Sequence, residues 1–172
     1  REDGSVEVPG AVSLGISPEA ANEIFDRMVS FASYAFNKSH AACYALVSYR
    51  TAYLKKYHPC EFMAALLTSV IDNTDKTVEY INECTRMNIK ILPPDVNSST
   101  DRFTVENGCI RFSLAAVKNL GRGVIRKIVS ERDANGRFTD FVDFCSRVYG
   151  NDDINKRVFE SLIKCGACDG LA

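Results

Sequence analysis

Two helical patterns meet across only four residues, Leu120-Gly121-Arg122-Gly123, and so short a link turns the chain back on itself as a hairpin. Ahead of it runs Ser113-Leu114-Ala115-Ala116-Val117-Lys118-Asn119; behind it runs the helical pattern from Val124 to Arg132. Val124, Ile125, Ile128 and Val129 recur at i, i+1, i+4 and i+5, which makes one helix face. Two glycines bracket one basic residue. Glycine tolerates positive φ and, lacking a Cβ, lets another backbone come close. The first N–H groups of the second helix point outward, and the helix dipole favours an anion there. Such a turn can hold a phosphate through the N–H groups of Arg122, Gly123 and Val124 without reading a base, with Arg122 or Arg126 adding charge. The same glycines also suit a plain helix–helix turn that needs them for geometry alone. The flanking set Lys118, Arg122, Arg126 and Lys127 favours the phosphate reading. So does an echo near the end of the chain: Ser161–Ala167 parallels Ala116–Arg122 in layout and carries one turn glycine, Gly166.

The rest of the chain reads as mainly helical. After a polar start with a short apolar run (1–15), Ser17-Pro18-Glu19 opens a helix expected to run to about Ser33, with Ala20, Ile24, Phe25, Met28, Val29 and Ala32 buried. A long helix follows over about 41–57, ended by His58-Pro59. Its tyrosines, Tyr44, Tyr49, Tyr53 and Tyr57, can stack bases, but interleaved with Ala45, Leu46, Ala52 and Leu54 they read as core. Pro59 opens the next helix, to about Ile71, and Asn73-Thr74-Asp75 starts another that ends near Asn88. Ile89–Leu92 is a short extended run. Phe103-Thr104-Val105 and Cys109-Ile110-Arg111-Phe112 flank Glu106-Asn107-Gly108, a β-hairpin signal. Beyond the glycine turn, 138–148 reads as a helix with Phe141, Val142, Phe144 and Cys145 inward. A loop at 150–153 leads to a last helix over about 155–164.

Composition narrows the function classes. Apolar residues make up 46% of the 172, enough for a buried core, and the net charge of −1 argues against a globally basic protein that coats DNA. From Ser113 onward ten Lys or Arg face eight Asp or Glu, whereas before it eleven face fourteen, so any basic surface is local. No apolar run approaches a membrane span and no secretory leader is evident; the abrupt ends suggest a piece of a longer protein. Seven cysteines, an odd number set among apolar helical patterns, fit buried thiols in a reducing cytoplasm. Cys165-x-x-Cys168 has a metal or redox spacing, yet lacks a second pair, and the histidines, His40 and His58, lie far off in sequence. Two-metal nucleotidyl transfer needs carboxylates gathered on rigid elements. Asp72/Asp75, Asp140/Asp143 and Asp152/Asp153 all fall in helix starts or loops, so no catalytic or metal-binding residue is assigned.

The segment Tyr34-Ala35-Phe36-Asn37-Lys38-Ser39-His40 gathers aromatic, amide, cation, hydroxyl and imidazole at a helix start. It can stack on a base and meet a triphosphate. On chemistry alone a capped helix start is the simpler reading, with Ser39 or Asn37 as the cap and His40 satisfied locally.

Phe36-Asn37-Lys38-Ser39-His40-Ala41-Ala42, then Tyr44–Tyr49, Thr51-Ala52-Tyr53-Leu54-Lys55 and Pro59, resemble the alpha-subunit family of bacterial replicative DNA polymerase III. Glu61–Ala65, Ile91–Asp95, Gly121-Arg122-Gly123 and Asn155–Val158 extend the likeness, in order, over nearly the whole chain. The resemblance implies a mainly α piece in two parts joined by a small β hairpin. The end of the fingers domain would occupy 1–95, a connecting loop and β hairpin 96–112, and a tandem helix-hairpin-helix DNA-binding module 113–172. It implies that Tyr34, Asn37, Lys38, Ser39 and His40 face the incoming deoxynucleoside triphosphate. It further implies that Lys118, Leu120, Gly121, Arg122, Gly123, Val124, Arg126, Lys127 and Gly166 touch the duplex backbone. The parent would use Mg2+ on aspartates upstream of Arg1, take primer–template DNA, and meet a sliding clamp and other replisome subunits, with no membrane role. Rival readings are a DNA-repair glycosylase, which would need a catalytic Lys or Asp beyond the hairpin, and a free-standing helix-hairpin-helix binding or protein-interaction module.

Overall fold

The computed structural model describes residues 10–34, 37–149 and 154–171, and the chain divides between Tyr49 and Arg50 into two compact units. In the first unit a 3-10 turn, Val12–Leu14, precedes α1, Pro18–Tyr34. Ser17 caps α1, its Oγ accepting the Ala20 N–H at 3.2 Å. α2, Lys38–Tyr57, begins here and continues into the second unit. Ile24, Phe25, Met28 and Val29 on α1 are exposed rather than buried as expected, and so are Tyr44, Tyr49, Tyr53 and Tyr57 on α2. Periodicity marks the face a helix would bury; it does not supply the element that covers it. The α2 aromatics stack along their own helix instead, His40 on Tyr44 at 4.5 Å and Tyr53 on Tyr57 at 4.6 Å.

The second unit holds two cores. α3, Pro59–Ser69, and α4, Thr74–Arg86, pack on a three-stranded sheet of β1, Ile91–Leu92, β2, Thr104–Glu106, and β3, Cys109–Arg111. Pro59 opens α3, as expected, but the helix stops at Ser69, two residues before Ile71. Asn73 caps α4 by accepting the Lys76 N–H. The strand order is β1-β3-β2, with β1 parallel and β2 antiparallel to β3. β2 and β3 are joined across Asn107 and Gly108, both at positive φ (50° and 76°), the backbone that a two-residue Asn-Gly hairpin requires. Met63, Leu67, Cys84, Ile89, Phe103 and Ile110 fill the core between the helices and the sheet.

The second core belongs to α5, Arg122–Asn135, α6, Phe141–Val148, and α7, Lys156–Lys164, with two 3-10 turns, Leu114–Ala116 and Asp169–Leu171. Leu114, Ile125, Ile128, Phe144, Val148 and Leu162 lie at its centre. Segments far apart in sequence are tied in by polar bonds. Asn97 exchanges two hydrogen bonds with the Phe138 backbone, at 2.8 and 2.9 Å, and the Val96 N–H donates to the Ala167 carbonyl at 2.9 Å.

Two expectations change here. The arm before the glycine turn is one 3-10 turn, not an α-helix over 113–119. Ser113 caps it, and Val117 is already extended, so too few residues remain to propagate a helix. In α6, which starts at Phe141 rather than Phe138, Val142 is 75% exposed. Phe144, Cys145 and Val148 lie on the inward face, Val142 falls off it, and Phe141, also expected inward, sits at its edge 38% exposed. Phe138 is buried all the same, edge-on to Phe144 with ring centroids 4.9 Å apart. The loop at 150–153 lies outside the described residues.

Arg147 fastens α5 to α6. Its guanidinium meets Glu131 at 3.0 Å and Asp143 at 3.2 Å, donates to the Gly136 carbonyl at 2.9 Å, and lies 4.4 Å over the Phe138 ring. Glu131 is held below the usual carboxylate range by the Asn135 amide and Arg147, and Asp143 by the Thr139 N–H and Arg147.

Phe144→Ala should cost about 3–5 kcal/mol in urea unfolding, against within about 0.5 kcal/mol for Val142→Ala; equal losses would contradict this core. Because the folded pKa values of Glu131 and Asp143 are lowered, their contribution is complete above the ordinary carboxylate range, about 4. It is lost as pH falls below that through the folded values. Arg147→Met should therefore flatten the acid limb of a stability–pH curve while lowering stability at neutral pH.

Candidate functional site

The glycine turn is held by its two ends. Leu120 and Val124 are 8% and 5% exposed and pack into the second core, while Gly121, Arg122 and Gly123 between them stand in the open. Leu120 and Val124 therefore present only main-chain groups to anything outside. Gly121 is the N-cap of α5, at φ −72° and ψ 147°. Neither it nor Gly123 has positive φ; Asn119 takes the left-handed conformation of the turn, at φ 68°. That corrects one expectation. The glycines are not there for backbone conformation, because asparagine, which tolerates the left-handed region, supplies it.

Nor are they there for internal packing. A Cβ placed on Gly121 or Gly123 would meet no atom within 4 Å. What the missing side chains leave is clearance toward solvent, directly over the start of α5. The caps of the neighbouring helices sharpen the point. Asn73, Asp140 and Asn155 each accept backbone N–H groups at the starts of α4, α6 and α7, whereas no side chain caps α5, nor α3, which opens on Pro59. The Ile125 N–H closes the first helical bond, onto the Gly121 carbonyl. The N–H groups ahead of it, on Arg122, Gly123 and Val124, have no acceptor within the helix.

Cations flank the turn in sequence. Lys118, Arg122 and Arg126 are exposed and Lys127 is half-buried. Arg126 Nε donates to the Arg122 carbonyl at 3.3 Å, drawing its guanidinium toward the first turn. Arg122 reaches Asp72 at 3.5 Å, with the two side chains 63% and 88% exposed. A pair so exposed contributes little and yields readily to a competing anion.

Gly166 behaves differently. It closes α7 at φ 78°, its N–H bonding to the Ile163 carbonyl and the Ala167 N–H to the Leu162 carbonyl, a Schellman cap. A Cβ there would come 3.0 Å from Asp169 Oδ2. Conformation and burial match Asn119 with Gly166, Leu120 with Ala167, Gly123 with Gly170 and Val124 with Leu171. This register is two residues away from the one the sequence pattern suggests, and it sets acidic Asp169 opposite Arg122. Asn119 is the turn residue that sequence reasoning missed, although an asparagine shortly before a glycine is a known left-handed signal.

At the start of α2, Asn37 is the cap: its Oδ1 accepts the Ser39 N–H at 3.0 Å and also the Ser39 hydroxyl. Lys38, Ser39 and His40 are exposed in the first turn. Tyr34 ends α1, but its side chain, like Ala35 and Phe36, lies outside the described residues. These residues and the glycine turn fall in different units. Cys165 Sγ donates to the Leu162 carbonyl at 3.3 Å. Burial pushes the Cys165 thiol up, and the Cys168 thiol to about 12, so both are protonated at neutral pH and pack as apolar groups against the core. Among the described residues no group of three or more His, Cys, Asp or Glu side chains is placed to hold a metal ion, and no helix is long and apolar enough to cross a membrane.

The chain has relatives among known proteins. A helix-hairpin-helix motif family matches residues 88–172. Nearly the whole chain is similar to part of DNA polymerase III subunit alpha. It is 49% identical over 163 residues to that of Pasteurella multocida (strain Pm70) and 48% over 163 residues to that of Vibrio cholerae serotype O1, in each case 94% of this chain. Against that of Escherichia coli (strain K12) it is 47% identical over 168 residues, 97% of this chain. The chain spans 14% of the length of each of these relatives, and is thus a homologue of one segment of them.

Gly123 lies in the first turn of a helix with open space at its Cβ, so Gly123→Ala should leave stability unchanged or raise it by up to about 1 kcal/mol in urea unfolding. A loss of similar size would mean that the glycine has a structural duty.

Proposed function

We infer that this chain is a segment of a DNA polymerase III alpha subunit that grips duplex DNA by its backbone, without reading sequence. The uncapped start of α5 beneath two glycines with no internal purpose carries that reading. A phosphate oxygen seated over Gly121 and Gly123 would accept from the N–H groups of Arg122, Gly123 and Val124. It would also lie at the positive end of the α5 dipole. Arg122 would exchange Asp72 for the phosphate, and Lys118, Arg126 and Lys127 would add longer-range attraction. Contacts of this type position a protein on DNA and carry no sequence information. The helix-hairpin-helix match over 88–172 and the relatives' name support DNA as the partner.

The parent chain would extend a primer on its template with Mg2+ held by carboxylates outside this segment, and would meet the sliding clamp and other replisome subunits through its other parts. In the parent, residues 1–95 would close the fingers domain and 113–172 would form the tandem helix-hairpin-helix module. Tyr34, Lys38 and His40 would face the incoming deoxynucleoside triphosphate. Asn37 and Ser39, engaged with each other in the α2 cap, would hold that first turn in place. Gly166, committed to closing α7, would add little to the DNA grip.

Titration of labelled duplexes of unrelated sequence should give one affinity for all, with a log–log salt slope of about −1 to −3. Marked preference for one sequence, or binding indifferent to salt, would refute the grip. In the parent polymerase, His40→Ala or Tyr34→Ala should raise KM for deoxynucleotide severalfold; unchanged KM and kcat would remove these residues from the nucleotide site.

A further inference from the structure

A cleft opens beside the glycine turn, between its first arm and the end of α7. Phe112 and Val117 contribute to its apolar floor, and Lys118, Asn119, Ser161 and Lys164 provide its polar wall; no lining residue is acidic. Asn119, in its left-handed conformation, reaches across with Nδ2 at 3.5 Å from Ser161 Oγ, so the turn and α7 meet here. Lys118 is exposed. Lys164, with its side chain 79% exposed, pairs with Glu160 at 3.9 Å.

We propose that this cleft is a second backbone subsite, which takes a nucleotide of the same DNA strand whose neighbouring phosphate sits on the start of α5. The inference rests on the DNA-grip reading above and adds Asn119, Ser161 and Lys164 to the surface. An apolar floor under a cationic wall complements a sugar–phosphate: the deoxyribose lies against Phe112 and Val117, and the phosphate between the two lysines accepts from the Ser161 hydroxyl. Spacing agrees. Two peptide units separate the Asn119 and Gly121 Cα atoms, at most about 7.6 Å. Adjacent phosphates of one strand are offset around the helix as well as by the axial rise of about 3.4 Å, so they lie farther apart than that rise and the two points suit neighbouring phosphates of one strand. The strand would run from the start of α5 toward α7.

The test is a duplex titration at several salt concentrations with Lys164→Gln, Ser161→Ala, Lys156→Gln and Gly123→Ala variants of this chain. Lys156 is on the same helix, 89% exposed, pairs with the same Glu160, and does not line the cleft. It lies about 12 Å from Lys164 along the axis. Lys164→Gln should weaken binding about three- to tenfold on every sequence and flatten the salt slope by about 1, with urea unfolding unchanged. Ser161→Ala should weaken binding about two- to fivefold, and Lys156→Gln should leave the slope as it was. If Gly123→Ala loses binding while Lys164→Gln and Ser161→Ala do not, the subsite is refuted and the grip stands. Equal effects of Lys156→Gln and Lys164→Gln would reduce the cleft to general charge and overturn it. If no variant, Gly123→Ala included, alters binding, both readings fall.

Discussion

Burial of Leu120 and Val124 on either side of three exposed residues is the constraint on which the site depends. Both side chains lock into the core formed by α5, α6 and α7, so the intervening Gly121-Arg122-Gly123 cannot retreat from solvent. The same anchoring aims the first turn of α5 outward. A more mobile loop could carry the same residues, but it would lose affinity to the entropy of ordering them. Here the ordering is already done by hydrophobic packing, so the proposed phosphate site would be preformed.

The two turns of the repeat separate two uses of glycine. Gly166 answers an internal demand: positive φ, a Schellman cap, and a carboxylate where a Cβ would be. Gly121 and Gly123 answer none, since their φ values are ordinary and the space around them is empty. A glycine without an internal reason points to something that approaches from outside. With Asp169 in the place of Arg122, the second turn also lacks the charge for an anion. One turn braces the fold, and the other stands open to solvent.

Much of this was legible in the sequence. Asn73 and Ser17 as caps, the Asn107-Gly108 hairpin and the starts of α3 and α7 follow from side chains that act on their own neighbours, and local chemistry is what a sequence displays most directly. The failures are of another kind. Periodicity shows an apolar face at Ile24, Phe25 and the α2 tyrosines, yet whether a face is covered depends on elements remote in sequence. At Val142 the count of apolar residues suggests burial, but their helical phase turns it outward. In the glycine turn the residues that matter were visible, but the reason was not. Only the backbone angles show that Asn119 bears the left-handed conformation and frees both glycines for another purpose. The cleft with Ser161 and Lys164 joins segments more than forty residues apart, and no local pattern announces it.

The central claim is that the N–H groups of Arg122, Gly123 and Val124 meet a phosphate. Amide chemical shifts recorded as duplex DNA is added test it most directly. The account predicts that these three amides shift together, that they return to their free positions as salt is raised, and that those of Asp169, Gly170 and Leu171 in the matching turn move little. Shifts confined to the second turn, or absent from the start of α5 while DNA is bound, would contradict it.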